Sequence, residues 1–575
     1  MHIERVPNRN SPPAILVRRS YREDGKVKKQ TLANISKLPP GAIELLAAYF
    51  KGLPVTADLE SAFDIVRSRP HGHVAAVLGT IRHLGLPRTI ARETSRQRDL
   101  VVAMIADRIL NPRSKLGTAR AMSSESLDST LGEMLELQSA DEDDLYAAMD
   151  WLGEQQDAIE QRLARKHLSE GALVLYDLTS TYFHGRTCPI AHKGHSRDHR
   201  AGSLQIVFGL LCNEQGCPVA VEVFDGNVND TTTFKAQVDK VRERFGIERV
   251  VWVGDRGTIT DVRIREDLSR EDNIDWIAAL RARQIGPLID AGILQLSLFD
   301  EQDLAEISSP EYPGERLIAC RNPFLAQERA NTRETLLAKA AEKLNKIVAA
   351  TQRPTQTLKG ISKITERVDK AIGHGSVRKH LRIDITDTGL SYELDQASIA
   401  ADAALDGIYV IRTSIPAEAI SAEDAVLAYK HLSRVERAFR CIKTVDLKVR
   451  PIYHRREKRV RAHVFLCVLA YYVEWHMRQL LAPILFDDHD PHAAQKRGES
   501  LIRGTHRSEA ADKKARTKRT EDDFPVHDFR SLLANLATIT KNSIQPRCDN
   551  APTFDRTTLP TEFQQRALDL LGVSL

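Results

Sequence analysis

The stretch that most constrains this chain runs from 171 to 283, where short apolar runs alternate with turn formers and then with amphipathic segments. LVLYDLTSTYF reads as a buried strand leading into a polar turn. SLQIVFGLLCNEQGCPVAVEVFDGN reads as two strands joined at Asn213–Gly216. FKAQVDKVRERFG has the period of an amphipathic helix, RVVWVGDRG is another buried strand, and DWIAALRAR a fifth. The order is β-β-β-α-β-α-β, a three-stranded meander followed by crossover connections. That pattern demands a mixed sheet in an α/β fold.

The order matches a ribonuclease-H-like core, and the rest of the chain arranges itself around that unit. Residues 1–55 read as a small β-rich module, because ILVRRSYREDGKVKKQTLANI places an Asp-Gly turn between two strand-like runs. Residues 60–170 read as a helical region: VVAMIADRIL has apolar residues at three-to-four spacing, and DEDDLYAAM opens with acids that suit a helix N-terminus. The core begins at 171–283 and is interrupted by 284–415, too long for a loop and therefore expected as an inserted domain. Helical periodicity returns over 416–485. Residues 486–575 read as a polar, basic tail, loose until a last short helix near 561–572.

Composition excludes more than it identifies. The longest apolar run, Val464 to Val473, is half a membrane span, so it reads as a buried helix, and no membrane partner is expected. The N-terminal sequence carries no apolar stretch of signal-peptide type. Seven scattered cysteines with no CxxC pair suggest reduced thiols and a cytoplasmic protein. Net charge is only +4, but twelve Lys or Arg face three acids between Lys430 and Arg461, and nine face three between Lys496 and Arg519. Concentrated charge of this kind suits a phosphate-bearing partner, though it also describes a solvated face.

Asp177 ends the apolar run Leu173–Tyr176, and Asp255 ends Val250–Gly254. Carboxylates at the ends of buried strands project where ligands bind in open sheets. If the two strands are neighbours, the carboxylates repel unless one is protonated or cations neutralise them, and hard cations such as Mg²⁺ take oxygen ligands of this kind. The alternative is that each Asp merely closes a turn. A third acid, Glu436, lies in the basic helix DAVLAYKHLSRVERAFRCIKTVDLKVR, with Tyr429, Leu432, Phe439, Arg440 and Lys443 near its face.

These blocks resemble the bacterial insertion-sequence DDE transposases. One branch carries Tyr-x2-Arg-x3-Glu-x6-Lys on its Glu helix. This chain reads Tyr429-x2-Leu432-x3-Glu436-x6-Lys443, so the Arg is replaced, with Arg434 or Arg437 as candidates for its role. YDLTSTYF, SRDHR at 196–200, VFDGNVNDTTTF, VGDRG, VERAFRCIKT and VRPIYHR also look like blocks of that family, as does RILNPRSKLGTAR ahead of the core.

The resemblance implies metal-dependent DNA strand cleavage at element ends and strand transfer into target DNA. Asp177, Asp255 and Glu436 would be the catalytic metal ligands, for two Mg²⁺ ions that Mn²⁺ can replace. Tyr429, Lys443, Arg440, Arg437, Lys448 and Arg450 would contact DNA. The partners it implies are double-stranded DNA, as terminal inverted repeats and as target, and a second copy of the chain on paired ends. The β module and the helical region are candidates for reading the ends. Two other readings are open: a nuclease on the same fold, and a transposase-derived DNA-binding protein without activity. His192, His195 and His199 beside Asp198 have spacings compatible with zinc, but no cysteine completes a pattern, and a loop beside the site is the simpler reading.

Overall fold

The computed structural model describes residues 1–9, 11–52, 62–198, 200, 202–228, 230–268, 273–299, 302–373, 375, 377–490, 507–547 and 551–575. At the N-terminus β1 (His2–Val6), β2 (Ala14–Glu23) and β3 (Lys26–Asn34) form an antiparallel sheet in that order. Its hairpin turns at Asp24 and Gly25, whose φ angles of 50° and 71° are the left-handed pair that a two-residue turn requires. Helix Pro40–Phe50 closes the module over a small core of Val17, Ile35 and Ile43.

The stretch expected to be helical from 60 begins with a strand, β4 (Phe63–Pro70), whose partner lies far away at the C-terminus. Helices follow at Gly72–His83, Arg96–Leu110, Lys115–Met122 and Glu142–His167. The last is started by Asp141 and Asp144, which satisfy each other's backbone N–H groups in a capping box.

The central sheet opens with β5 (Ala172–Tyr182), the short β6 (His192–Lys193), β7 (Leu204–Asn213), β8 (Pro218–Phe224), β9 (Val250–Gly254) and β10 (Ile274–Ala279). β5, β7 and β8 pair antiparallel, whereas β9 runs parallel to β5 and β10 parallel to β9. The spatial order β8-β7-β5-β9-β10 is that of a ribonuclease-H-like sheet, in the α/β class that the element order requires.

Beyond β10 the sheet continues with strands from the interrupting segment: β11 (Leu304–Ile307) and β12 (Arg316–Arg321), then, after the hairpin β13 (Leu381–Ile385) and β14 (Leu390–Leu394), β15 (Ile408–Thr413). β15 joins β10, β12 joins β15 and β11 joins β12, all antiparallel. Residues 284–415 therefore widen the main sheet as well as building a core of their own. Helices Pro323–Thr351 and Ile361–Ile372 pack with β13 and β14 around Leu344, Ile364, Val368, Leu381 and Leu390.

Helix Glu457–Leu481 holds the molecule together. It is buried over most of its circumference, as the apolar run at 464–473 predicts, and belongs to one large core with helices 96–110 and 142–167 and the sheet. Among the described residues no helix is long and apolar enough to cross a membrane.

The region from 486 onward departs from the loose tail expected of its composition. Residues 491–506 lie outside the described residues, but helices Glu509–Thr517, Phe529–Leu536 and Glu562–Leu571 are built, and β16 (Thr540–Pro546) pairs with both β4 and β17 (Phe554–Thr557). Phe529, Leu532, Leu533 and Leu536, at helical spacing, enter the main core. The buried Lys514 ammonium donates to the carbonyls of Ala482, Leu485 and Asp487 at 2.7–2.9 Å. The averaged polarity of the segment hides this one apolar stripe.

Candidate active site

The parallel pairing of β5 with β9 sets Tyr176 opposite Gly254, so the next residues along lie side by side. Asp255 stands where β9 ends, and Asp177 in the middle of β5, which runs on to Tyr182 and not, as the apolar run suggested, to a stop at the acid. Asp255 Oδ1 accepts from the N–H groups of Gly257 and Thr258 at 3.0 and 2.7 Å, fixing the carboxylate over the turn. A side chain at position 254 would press on Ile259, which explains the glycine before the acid. Asp177 Oδ1 accepts from the Leu178 N–H at 2.7 Å.

Helix Leu432–Arg440 packs on β5 and ends in a wider turn of π type, Cys441–Val445. Glu436, Phe439, Arg440 and Lys443 share the face toward Asp177 and Asp255, and together they line a cavity of about 510 Å³. Arg197, Asp198 and Arg450 complete the wall. Helical repetition at three, four and seven residues gives Glu436 and Lys443 a common outlook, and π-type turns recur where function demands such local adjustment.

The electrostatics are those of a strained acid cluster under a basic rim. Burial, then the neighbouring Asp255 and Glu436 charges, push the Asp177 carboxyl up to about 7, partly offset by the Leu178 N–H and the Arg197 charge. Burial above all, with Asp255, Asp177 and Glu436 adding repulsion, pushes the Tyr429 phenol up to about 12. Tyr429 therefore stays a neutral hydroxyl near the acids. Lys443 Nζ donates to Thr179 Oγ1 at 3.1 Å and the Ser180 carbonyl at 2.7 Å, and pairs with Asp198 at 2.7 Å. Arg450 reaches the other Asp198 oxygen at 3.2 Å and lies over the Tyr182 ring.

Of the residues expected to contact DNA, the structure brings Lys443, Arg440 and Arg450 to the cavity and Tyr429 close to its acids. Arg437 turns away and pairs with Asp487 at 2.5 Å. Lys448, with a φ of 46°, lines a neighbouring cavity. Neither candidate for the missing signature Arg reaches the site: Arg434 donates to the Glu214 carbonyl at 2.6 Å, and Leu432 itself is buried in the core. The cations present are Arg197, Arg440, Lys443 and Arg450. Arg197 and Asp198 carried a signal in the SRDHR block, but sequence reasoning assigned them no role. His192 lies in β6, and His199 falls outside the described residues.

These side chains suit a hard divalent cation. Three carboxylates face one cavity, and the Asp177 carboxyl, raised first by burial and then by Asp255, has a charged form that a cation would favour. The ligand atoms of these three acids are set wider apart than those of two groups elsewhere, His167, Cys217 and His476, and Cys441, Asp446 and Glu474, each of which lies within 4.8 Å. In the second, Asp446 and Glu474 already bind Arg478. In the first, His167 is hydrogen-bonded to the Tyr472 hydroxyl at 2.9 Å.

A measurable consequence follows for pH. An Asp with a raised folded-state value favours folding fully below its unfolded value near 4, and that contribution is lost as pH rises through about 7. A divalent cation reverses the penalty without having to displace a proton at pH 8, whereas at pH 6 it must. Mg²⁺ is therefore expected to raise the melting temperature more at pH 8 than at pH 6, with no rise in Asp177→Asn. Equal shifts at both pH values would contradict this reading of the cluster.

The two cations of this helix are also expected to behave differently. If the cavity cuts DNA, as the resemblance implies, Lys443→Ala removes a charge beside the acids and should lower the rate by roughly tenfold or more. Arg437→Ala removes an exposed ion pair worth about 0–1 kcal/mol and should leave the rate nearly unchanged. Side-by-side rates on one DNA substrate decide the point.

The fold and the acid cluster define a ribonuclease-H-like α/β protein. The family model described as the transposase DDE domain matches residues 171–473, and that of the IS1634 family transposase N-terminal domain matches residues 3–53. The chain belongs to the DDE transposase family of bacterial insertion sequences. No curated protein matches it. Among solved structures, a cryo-EM structure of the piggyBac transposase synaptic complex with hairpin DNA is similar at 10% identity and a TM-score of 0.34, over 70% of this chain and 72% of that one.

Proposed function

We propose that this chain is the transposase of an insertion sequence, cutting DNA strands at the ends of its element and joining the freed 3′ ends to target DNA. The observation that carries the reading is the convergence of Asp177, Asp255 and Glu436 on one cavity rimmed by Arg197, Arg440, Lys443 and Arg450. Divalent cations bound there, Mg²⁺ or Mn²⁺ in its place, would activate a water or a 3′-hydroxyl and offset charge on the leaving oxygen.

The chain's own groups do the rest. Asp177, in the middle of β5, and Asp255, just past β9, would hold the cations from the rigid sheet, and Glu436 would add a third carboxylate from the opposing helix. Lys443, anchored by Thr179, Ser180 and Asp198, holds positive charge where a phosphate would sit. The Tyr429 hydroxyl, kept protonated, can donate to a phosphate oxygen. A second copy of the chain on the paired ends belongs to this proposal.

Joining separates a transposase from a nuclease on the same fold. A labelled, already cleaved element end with a free 3′-hydroxyl, incubated with the protein, Mg²⁺ and a supercoiled plasmid, is expected to give label covalently attached to plasmid. Nicked plasmid with no attached label would establish the nuclease instead.

A further inference from the structure

A second cavity, of about 530 Å³, adjoins the first, and Arg450 lines both. Its wall draws on distant parts of the sequence: residues 108–115 at the end of one helix and the start of the next, Tyr146, and residues 448–463 after the Glu436 helix. Eight arginines and lysines line it, and no Asp or Glu does. Three of them are matched by carboxylates outside the wall: Arg113 by Asp107 at 3.1 Å, Arg450 by Asp198 at 3.2 Å, and Arg459 by Asp150 at 2.8 Å. Arg108, Lys115, Lys448, Arg455 and Arg456 have no carboxylate partner among the described residues.

Lys115 is the telling member. It is 5% exposed, and its ammonium makes no hydrogen bond or ion pair among the described residues. Burial, followed by the Arg108 charge, lowers its basicity to about 7. Burying an ammonium is costly unless an anion compensates, and the one carboxylate near enough to raise its basicity, Asp107, is itself paired with Arg113 at 3.1 Å. Lys115 is also the first residue of helix Lys115–Met122, capped by Ser114, so the positive end of that helix opens on the same space. Arg108 is spent only on the carbonyls of Lys448 and Arg113. A cavity of this charge, holding a buried lysine with no direct hydrogen-bond or ion-pair partner among the described residues, suits an anion.

We propose that this cavity binds a backbone phosphate of the DNA strand that runs on from the cavity of Asp177, Asp255 and Glu436, with the buried Lys115 and Arg108 and the exposed Arg455 and Arg456 as its donors. The assignment rests on reading the first cavity as one that acts on DNA. Its cost is borne by stability, since Lys115 is held ready for a ligand and not for a partner within the fold.

The test is DNA affinity of the full chain, with no metal added, for a labelled duplex across a salt series, together with melting temperatures. Lys115→Met is expected to weaken binding about tenfold and to lower the salt slope by roughly one, while the melting temperature stays level or rises. Arg455→Gln with Arg456→Gln, both exposed and harmless to folding, should lower the slope by roughly two. Unchanged affinity and slope in Lys115→Met, with a lower melting temperature, would overturn the proposal and make Lys115 structural. Stabilisation of the wild type by inorganic phosphate, with duplex affinity unaffected in all these variants, would overturn it in favour of a small-anion pocket. Because no cleavage is required, a protein that fails to cut DNA but shows the Lys115→Met loss would sink the catalytic reading and leave this one standing.

Discussion

Glu436→Gln is expected to lower metal-dependent strand cleavage by roughly a thousandfold or more while leaving the fold and DNA affinity close to wild type. The exposed Glu436 side chain makes no hydrogen bond or ion pair among the described residues, so an isosteric amide there has no structural partner to lose. Surface substitutions away from such partners stay within about 0.5 kcal/mol of neutral. A ligand that completes a catalytic cation site contributes several kcal/mol to the transition state, and about 4 kcal/mol corresponds to that thousandfold loss. The separation of a large rate effect from a negligible stability effect is the signature to look for, in parallel cleavage rates and melting curves. A comparable loss of both would mean that Glu436 supports the helix and not the chemistry.

Arg478→Leu carries the largest expected effect on stability, about 3–5 kcal/mol. Arg478 is largely buried beneath the Glu436 helix, where it donates to Asp446 and Glu474 at 2.8 Å each, and both acids are essentially inaccessible. Arg530 braces the other Asp446 oxygen at 3.3 Å. Arg478 and Arg530 hold the Asp446 carboxyl below its usual range despite burial, while burial and the Asp446 charge push Glu474 upward. Removing the guanidinium leaves two buried acids facing one another. Because Asp446 directly follows the turn that carries Lys443, cleavage should fall as well. Denaturant titration measures the first effect, and Glu474→Gln combined with Arg478→Leu should recover part of it at alkaline pH, since the amide cannot ionise beside the Asp446 charge.

Much of the core was legible because its signals are local. The apolar runs ending in Asp177 and Asp255 give both the strands and the acids, and the meander-then-crossover order gives the sheet. The hairpin at Asp24-Gly25 and the capped helix at Asp141 follow from neighbouring residues alone. What escaped depends on partners far apart in sequence. β4 looks like the edge of a helical region because its mate, β16, lies more than four hundred residues away. β12 and β15 read as pieces of an inserted domain, yet hydrogen bonding to β10 carries them into the main sheet.

At the candidate site, the three acids and Lys443 could be picked from sequence because Asp177 and Asp255 interrupt apolar runs and helical spacing sets Glu436 and Lys443 on one face, although β5 continues past Asp177 to Tyr182. The surrounding cations could not. Arg437 and Arg440 are three residues apart on a basic helix, and only the presence of Asp487 beside one and the cavity beside the other separates them. Arg197 reaches the cavity from the loop between β6 and β7, a connection with no periodicity to predict its direction. The basic wall around Lys115 unites residues about 340 positions apart, so no window of sequence reveals it.

The most direct measurement is strand cleavage by the purified full chain on a labelled duplex carrying the element's own end, with Mg²⁺ and with EDTA in parallel. Nicking at the element boundary with Mg²⁺, its absence with EDTA, and joined product on adding target DNA are the expected results. Tight binding of that end with no cleavage under Mg²⁺ or Mn²⁺ would contradict the proposal and mark the protein as a DNA-binding relic of a transposase.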